Sequence, residues 1–221
     1  MAIYAIGDLH LPGGQEKPMD VFGAHWGDHV SRIISQWKQN VSPDDLVLIP
    51  GDISWAMHFE QAKEDLAAIA DLPGEKVLLR GNHDYWWSSI GKIRDWLPER
   101  MHALQNDTFP WHSATICGTR GWVFPTEQNP LNDTDMKIYR RELIRLELSL
   151  QQAQGRQLPL VAMLHYPPLL KDTLNTAFTE LLEKYGVSRC CFGHLHDVGI
   201  GNAFQGVHRG ISYHLVSCDA I

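Results

Sequence analysis

The sequence predicts an α/β fold, and two observations indicate it. Short apolar runs alternate with amphipathic stretches along the chain, as expected of strands that alternate with helices. Apolar residues make up 44% of the sequence and charged residues 20%, which are ordinary globular values and exclude disordered and fibrous classes. The 221 residues are enough to bury a sizeable core, and we expect one domain over residues 1–221.

The apolar runs and the amphipathic stretches set the predicted elements in chain order. Strands are expected at residues 2–6, 46–49, 76–79, 114–117, 160–164, 189–192, 207–211 and 214–217. Helices are expected at residues 26–39, 59–71, 88–96, 134–154 and 175–185. In the fourth helix, apolar side chains recur every three or four residues from Met136 to Leu150, which predicts one face packed on a core. Residues 11–20 and 125–133 are rich in turn-forming residues and are expected to be loops.

The charge balance and the cysteines limit the partners and the location of the protein. The net charge of −7 argues against binding to a polynucleotide or an anionic membrane, which requires clustered Lys and Arg. No apolar stretch approaches the ~18 residues of a membrane span, and the first residues lack the basic leader of a signal peptide. The cysteines show no C-x-x-C spacing and are expected to be reduced; they are Cys117, Cys190, Cys191 and Cys218. We therefore expect a soluble cytoplasmic protein.

Five of the predicted strands end in loops that carry Asp, Asn or His. These loops contain Gly7-Asp8-Leu9-His10, Gly51-Asp52, Gly81-Asn82-His83-Asp84, His165-Tyr166 and Gly193-His194-Leu195-His196. Ligands of open α/β sheets bind beyond the carboxyl ends of the strands, so we expect the five loops to meet at one edge. A glycine precedes the polar residue in four of the loops, and glycine lets the backbone come close to an ion or a phosphate.

The polar side chains at this edge have the chemistry of a metal site. They are Asp8, His10, Asp52, Asn82, His83, His165, His194 and His196. Burying two carboxylates among imidazoles is costly unless a cation is bound, and one ion cannot use so many donors. Two ions ~3.5–4 Å apart with a bridging carboxylate can use them, and mixed nitrogen and oxygen donors favour Mn, Fe, Co, Ni or Zn over Ca. Taken alone, the first three motifs are also explained as caps or turns, and His194-x-His196, which is moderately specific, as a pair of surface histidines. Their joint order after five strands indicates a shared site.

Together the five motifs resemble the signature of the calcineurin-like metallophosphoesterases, and they span residues 8 to 196. The resemblance implies a four-layer α/β/β/α sandwich with two mixed β-sheets and a dinuclear centre of divalent transition-metal ions at one end. One ion would be held by Asp8, His10, Asp52 and His196. The other would be held by Asp52, Asn82, His165 and His194, with Asp52 as the bridge. His83 matches the non-ligand histidine of the family, which is expected to protonate the leaving oxygen.

The resemblance also implies the reaction. A hydroxide that bridges the two ions would attack a small phosphomonoester or phosphodiester in line, with His83 assisting departure of the leaving group. Two positions differ from the phosphoprotein phosphatases of this superfamily: Trp55 replaces their second Asp, which orients the catalytic histidine, and Asp84 replaces their Glu. Both differences argue against that branch, and they leave open what orients His83.

Aromatic residues beside the motifs allow two interpretations. They are Trp55, Tyr85, Trp86, Trp87 and Tyr166. They could form a stacking platform for a base or an aromatic leaving group, or they could pack under the loops and hold them rigid. Two other functions compete with a small-molecule phosphohydrolase: a nuclease that acts on polynucleotides, and a non-catalytic scaffold that keeps the fold. The acidic charge argues against the first, and the complete donor set with His83 argues against the second.

Overall fold

The computed structural model describes residues 1–14, 19–155 and 157–221, so residues 15–18 of the loop expected at 11–20 lie outside the described residues. Strands in this part of the chain form two sheets. The first sheet has the order β1-β2-β3-β4, with β1 at Ile3–Ala5, β2 at Leu46–Ile49, β3 at Glu75–Leu78 and β4 at Met101–Ala103. The second has the order β5-β6-β7-β8-β10-β9, with β5 at Phe109–Pro110, β6 at Thr115–Thr119, β7 at Leu160–Leu164, β8 at Val187–Phe192, β9 at Gly206–His208 and β10 at Ile211–Leu215.

Helices connect most of the strands, and such crossover connections allow neighbouring strands to run parallel. They are α1 at His29–Asn40, α2 at Phe59–Ala70, α3 at Ile90–Trp96, α4 at Asp133–Gln152 and α5 at Ala177–Lys184, with short 3₁₀ helices at Met19–Phe22, Ala24–Trp26 and Asp197–Asn202. Among the described residues, none of the helices combines the length and the apolar character that a membrane crossing requires.

The two sheets differ in strand direction. A helix joins each strand of the first sheet to the next, and its pairings are all parallel. In the second sheet β6, β7, β8 and β10 are parallel neighbours, whereas β5 and β9 pair antiparallel at the edges. The expectation of two mixed sheets is therefore corrected for the first sheet, which is parallel throughout its assigned strands, because every connection in it is a helical crossover.

Side chains of each sheet alternate between two cores. In β2, Val47 packs with α1, α2 and α3, and its neighbour Leu48 packs against the second sheet. In β7, Ala162 packs with α4 and α5, and its neighbour Met163 packs against the first sheet. The resulting order of helices, sheet, sheet and helices is the expected α/β class and four-layer α/β/β/α sandwich.

The predicted boundaries differ most at the C-terminal hairpin. Strands were expected at residues 207–211 and 214–217, but the chain reverses at Arg209 and Gly210, where φ is +47° and +80°. Two central residues with positive φ are typical of the two-residue turns that match the twist of a β-hairpin. Strand β10 consequently begins at Ile211 and pairs parallel with β8.

Candidate metal centre

The five polar loops meet at one edge of the two sheets. The loops of Asp8, Asp52 and Asn82 follow β1, β2 and β3 of the first sheet. Those of His165 and His194 follow β7 and β8 of the second. Because these strands are parallel within their sheets, their carboxyl ends lie on the same side.

One group of donors lies around Asp8. Nε2 of His10 and Nε2 of His196 are 3.4 Å apart, and Nε2 of His196 is 3.5 Å from Oδ1 of Asp8. Ligand atoms of these three residues all lie within 4.8 Å of one another, which is compact enough for one ion to contact them. Oδ2 of Asp52 lies 3.9 Å from Nε2 of His10, so a second carboxylate borders this group.

A second group of donors lies around His165. Its Nε2 is 3.5 Å from Oδ2 of Asp52 and 2.6 Å from Oδ1 of Asn82. Nδ1 of His194 is 2.9 Å from the same amide oxygen. Since Oδ2 of Asp52 faces both His165 and His10, this carboxylate lies between the two groups of donors.

Burial and neighbouring charges shift the pKa values of both carboxylates of the cluster. Asp8 and Asp52 are 0% and 2% exposed. Burial alone would raise the pKa of Asp8, but its contact with His196 and the nearby imidazoles of His165 and His10 lower that pKa well below its usual value. Burial and the charge of Asp8 raise the pKa of Asp52 to about 7. Two carboxylates at such a site do not both ionise at neutral pH unless a cation compensates them.

Burial also shifts the pKa values of the histidines. It lowers the pKa of His10 and that of His194 to about 3, so both imidazoles are neutral and each presents a lone pair. Burial acts in the same direction on His196, but hydrogen bonds with Asp219 and Asp8 outweigh it and raise the pKa of His196 to about 10. The neutral imidazole is the form that binds transition metals.

The backbone is strained at four of the predicted ligands. Asp8, His10, Asp52 and His194 have φ of +58°, +45°, +50° and +73°, in the left-handed region that non-glycine residues rarely adopt. Hydrogen bonds from the Asp8 amide to the Gly51 carbonyl and from the His10 amide to the Asp52 carbonyl, each 3.0 Å, hold two of these conformations. Strain of this kind costs roughly 1–3 kcal/mol per residue and concentrates at functional sites.

Comparison with known proteins places the chain in a family. The model of the calcineurin-like phosphoesterases matches residues 1–198. This chain belongs to the calcineurin-like phosphoesterase family. A search among curated proteins found no match.

Two similar solved structures share the fold of this phosphoesterase. Phosphopantetheinyl hydrolase from Mycobacterium tuberculosis has a TM-score of 0.57 at 15% identity, over 97% of this chain and 88% of that one. A protein of unknown function from Aquifex aeolicus has a TM-score of 0.51 at 15% identity, over 99% of this chain and 91% of that one. The protein is therefore a metallophosphoesterase-type hydrolase with the fold that its motifs predicted.

The donor set of this phosphoesterase fits the divalent metals that its family uses. Nδ1 of His165 lies 3.0 Å from the Pro50 carbonyl and donates its proton there. Burial lowers the pKa of His165, so Nε2 carries no proton and turns its lone pair toward Oδ1 of Asn82 at 2.6 Å. Two acceptor atoms this close repel each other unless a cation lies beside them. The pair is thus suited to hold an ion.

Two glycines make room for the carboxylates. A Cβ atom at Gly81 would lie 2.1 Å from Oδ1 of Asp52, and one at Gly193 would lie 2.3 Å from Oδ2 of Asp8. The amide of His194 donates to Asp8 at 3.0 Å, and the amide of His83 donates to Asp52 at 2.8 Å. These glycines therefore let the backbone approach the carboxylates of Asp52 and Asp8.

Aromatic rings surround His83 at the mouth of the cluster. The His83 ring lies 4.7 Å from that of Trp55, 6.1 Å from that of Tyr85 and 5.9 Å from that of His10. Trp55 also stacks on His10 at 4.8 Å. The sequence left open what orients His83. In the structure the indole of Trp55, which replaces the second Asp of the phosphoprotein phosphatases, packs against the His83 ring.

Asp84 joins two loops of the cluster by hydrogen bonds. Its buried carboxylate accepts hydrogen bonds from the amides of Ile53 at 2.9 Å and Gly81 at 2.7 Å, and from Nε1 of Trp86 at 3.0 Å. Trp86 and Trp87 are 2% and 3% exposed, so they pack under the loops as the second interpretation of the aromatics predicted.

Sequence reasoning missed Asp219. Oδ1 of Asp219 lies 2.8 Å from Nδ1 of His196, and Oδ2 accepts the amide of Asp197 at 3.1 Å. The Cys218 amide donates to the Gly7 carbonyl at 3.1 Å, which fixes the C-terminal segment beside β1. Asp219 follows the last motif by more than twenty residues and belongs to no recurring pattern, so the sequence contained no signal for it.

Proposed function

We propose that this phosphoesterase binds two divalent transition-metal ions (Mn, Fe, Zn, Co or Ni) and hydrolyses a small phosphomonoester or phosphodiester. The observation that carries the proposal is the convergence of carboxylates and imidazoles, most of them buried, in two adjoining groups. Nitrogen and oxygen donors in this mixture suit these metals. The free cysteines, Cys117, Cys190 and Cys191 buried and Cys218 partly buried, support an additional proposal, that the protein works in a reducing compartment such as the cytoplasm.

The proposed ligands divide between the two ions as the resemblance implied. One ion is held by Asp8, His10, Asp52 and His196, and the other by Asp52, Asn82, His165 and His194. The position of the Asp52 carboxylate, 3.9 Å from His10 and 3.5 Å from His165, supports its role as the bridge.

The chain's own residues then act on the substrate. When bound, the ions supply an activated water for in-line attack on phosphorus and neutralise the phosphoryl oxygens. His83 is half-buried at the mouth of the cavity that Asp52 and His194 also line, and it donates a proton to the leaving oxygen. Trp55 and Tyr85 beside it keep its ring over this cavity.

The substitution Asp52→Asn tests this function. Loss of the bridging charge should reduce hydrolysis of an aryl phosphoester in Mn²⁺ by at least ~10³-fold, because the attacking water and the phosphoryl charge both depend on the ions. Asp44→Asn, which changes an exposed carboxylate, should keep full activity. A wild-type protein that binds metal but hydrolyses neither mono- nor diesters would refute the proposal and favour the scaffold. Cleavage confined to polynucleotides would favour the nuclease.

A further inference from the structure

A largely apolar groove opens directly beside the metal centre. The His194 side chain lines both this groove and the cavity that contains Asp52 and His83. The Tyr166 ring packs on the His194 ring with centroids 4.0 Å apart, so the wall of the groove begins at a proposed metal ligand. The groove has a volume of about 420 Å³, within the range of small-molecule sites.

Aromatic and aliphatic side chains form its walls. They are Trp122, Val123, Phe124, Tyr166, Leu170 and Leu195. The Trp122 indole is held in place, because Nε1 donates to Oδ1 of Asp135 at 3.1 Å and the Arg120 guanidinium lies 4.6 Å from the ring. A rigid aromatic face loses little entropy when a ligand packs on it.

Charge limits what the groove can accept. Among the described residues that line it, Asp172 is the one Asp, Glu, Lys or Arg. Thr126, Gln128, Asn129 and Thr173 add neutral polar groups. A second phosphate or a carboxylate in the groove would lose its hydration without gaining a lining cation, and it would face Asp172. An uncharged organic group would bury apolar surface instead.

We propose that this groove binds the organic group of the phosphoester, and that this group is uncharged and apolar or aromatic beside the phosphorus. The inference rests on the proposed function, since the groove can select only a substrate whose phosphoryl group lies at the metal centre. It favours esters of neutral alcohols over nucleotides with a further phosphate and over polynucleotides.

Phosphonates test the groove without turnover. Calorimetry with the Mn²⁺-loaded protein should show phenylphosphonate binding about tenfold or more tightly than methylphosphonate, because its ring buries apolar surface. Para-carboxyphenylphosphonate should lose most of that gain, since its carboxylate enters a groove without a lining cation. Equal affinities for the methyl and phenyl compounds would overturn the assignment.

A charge introduced into the groove makes the test sharper. Val123 is 38% exposed, so Val123→Lys should fold, and it should reverse the preference between the phenyl and the para-carboxyphenyl compounds. Val207→Lys, at a 71% exposed position of β9, should keep the wild-type preference. An unchanged preference in Val123→Lys would overturn the assignment.

Absence of any aryl phosphoester hydrolysis would refute the proposed function, whereas hydrolysis with equal phosphonate affinities would overturn the groove assignment alone.

Discussion

At the scale of single residues, the proposed ligands depend on neighbours that are not themselves proposed to bind a metal. Asp219 accepts the Nδ1 proton of His196, and this leaves Nε2 directed at Asp8. A carboxylate behind a metal-binding imidazole fixes both its tautomer and its ring orientation. We therefore infer that Asp219 is a positioning residue, and its effect should appear in metal affinity as well as in activity.

Removing this carboxylate should weaken metal binding. We expect Asp219→Ala to lower the affinity for Mn²⁺ by about 10–100-fold, measured by competition with a chelating dye. Asp219→Asn keeps an oxygen that can accept from His196, so its loss should be smaller. The exposed Asp95 provides the control Asp95→Ala, which should bind as the wild type does. An unchanged affinity in Asp219→Ala would contradict the positioning role.

A single methyl group at Gly81 should disturb the centre. In Gly81→Ala the new Cβ would lie 2.1 Å from Oδ1 of Asp52 and 2.2 Å from its backbone nitrogen, so the backbone must shift. We expect the free energy of unfolding to fall by about 1–3 kcal/mol and metal affinity to fall with it. Gly91→Ala, whose Cβ meets nothing within 4 Å, should instead stabilise α3 by about 0.4–1 kcal/mol. Denaturant unfolding that shows both variants equally stable would contradict this packing.

The proposed ligands could be found from the sequence because each follows a strand and falls in a short motif. Asp8 and His10 are two residues apart after β1, and His194 and His196 are two apart after β8. Asp219 could not be found, because only the folded chain brings it to His196.

At the scale of elements, buried strands were predicted most accurately. The bounds of β2 and β7 agree with the sequence prediction, because each is a mostly buried apolar run of defined length. Strands β4 and β5 were missed, since they have three and two residues and show no periodicity long enough to recognise. The hairpin of β9 and β10 was misplaced because its turn lies at Arg209 and Gly210, within a predicted strand.

Lys76 joins strand β3 to the end of helix α2, and replacing it should destabilise the fold. The side chain is 1% exposed, and Nζ donates to the Ala70 carbonyl at 3.1 Å and to the Leu72 carbonyl, beyond the end of α2. Lys76→Met would leave both carbonyls without this donor, so we expect a loss of about 1–3 kcal/mol in the free energy of unfolding near neutral pH. Lys92→Met, at an exposed position of α3, should change little.

The same lysine predicts a pH dependence. Burial lowers its pKa in the folded protein to about 8 from the ordinary 10.5. Between these values the unfolded chain binds more protons than the folded one, so the wild type gains stability relative to Lys76→Met as the pH rises. Denaturation measured across this interval checks the sign, and a difference that shrinks with rising pH would contradict it.

At the scale of the whole molecule, the centre joins the two sheets of the sandwich. The loops of the first sheet contribute Asp8, His10, Asp52 and Asn82, and those of the second contribute His165, His194 and His196. Neither sheet alone supplies a complete set for either proposed ion. Parallel strands that end at a common edge explain why residues so distant in sequence lie together.

Anomalous diffraction from crystals grown with excess Mn²⁺ tests the account most directly. We expect two anomalous peaks ~3.5–4 Å apart, with the Asp52 carboxylate between them and the six other proposed ligands around them. Absence of peaks at this edge of the sheets, or a single ion bound elsewhere in the molecule, would contradict the dinuclear centre.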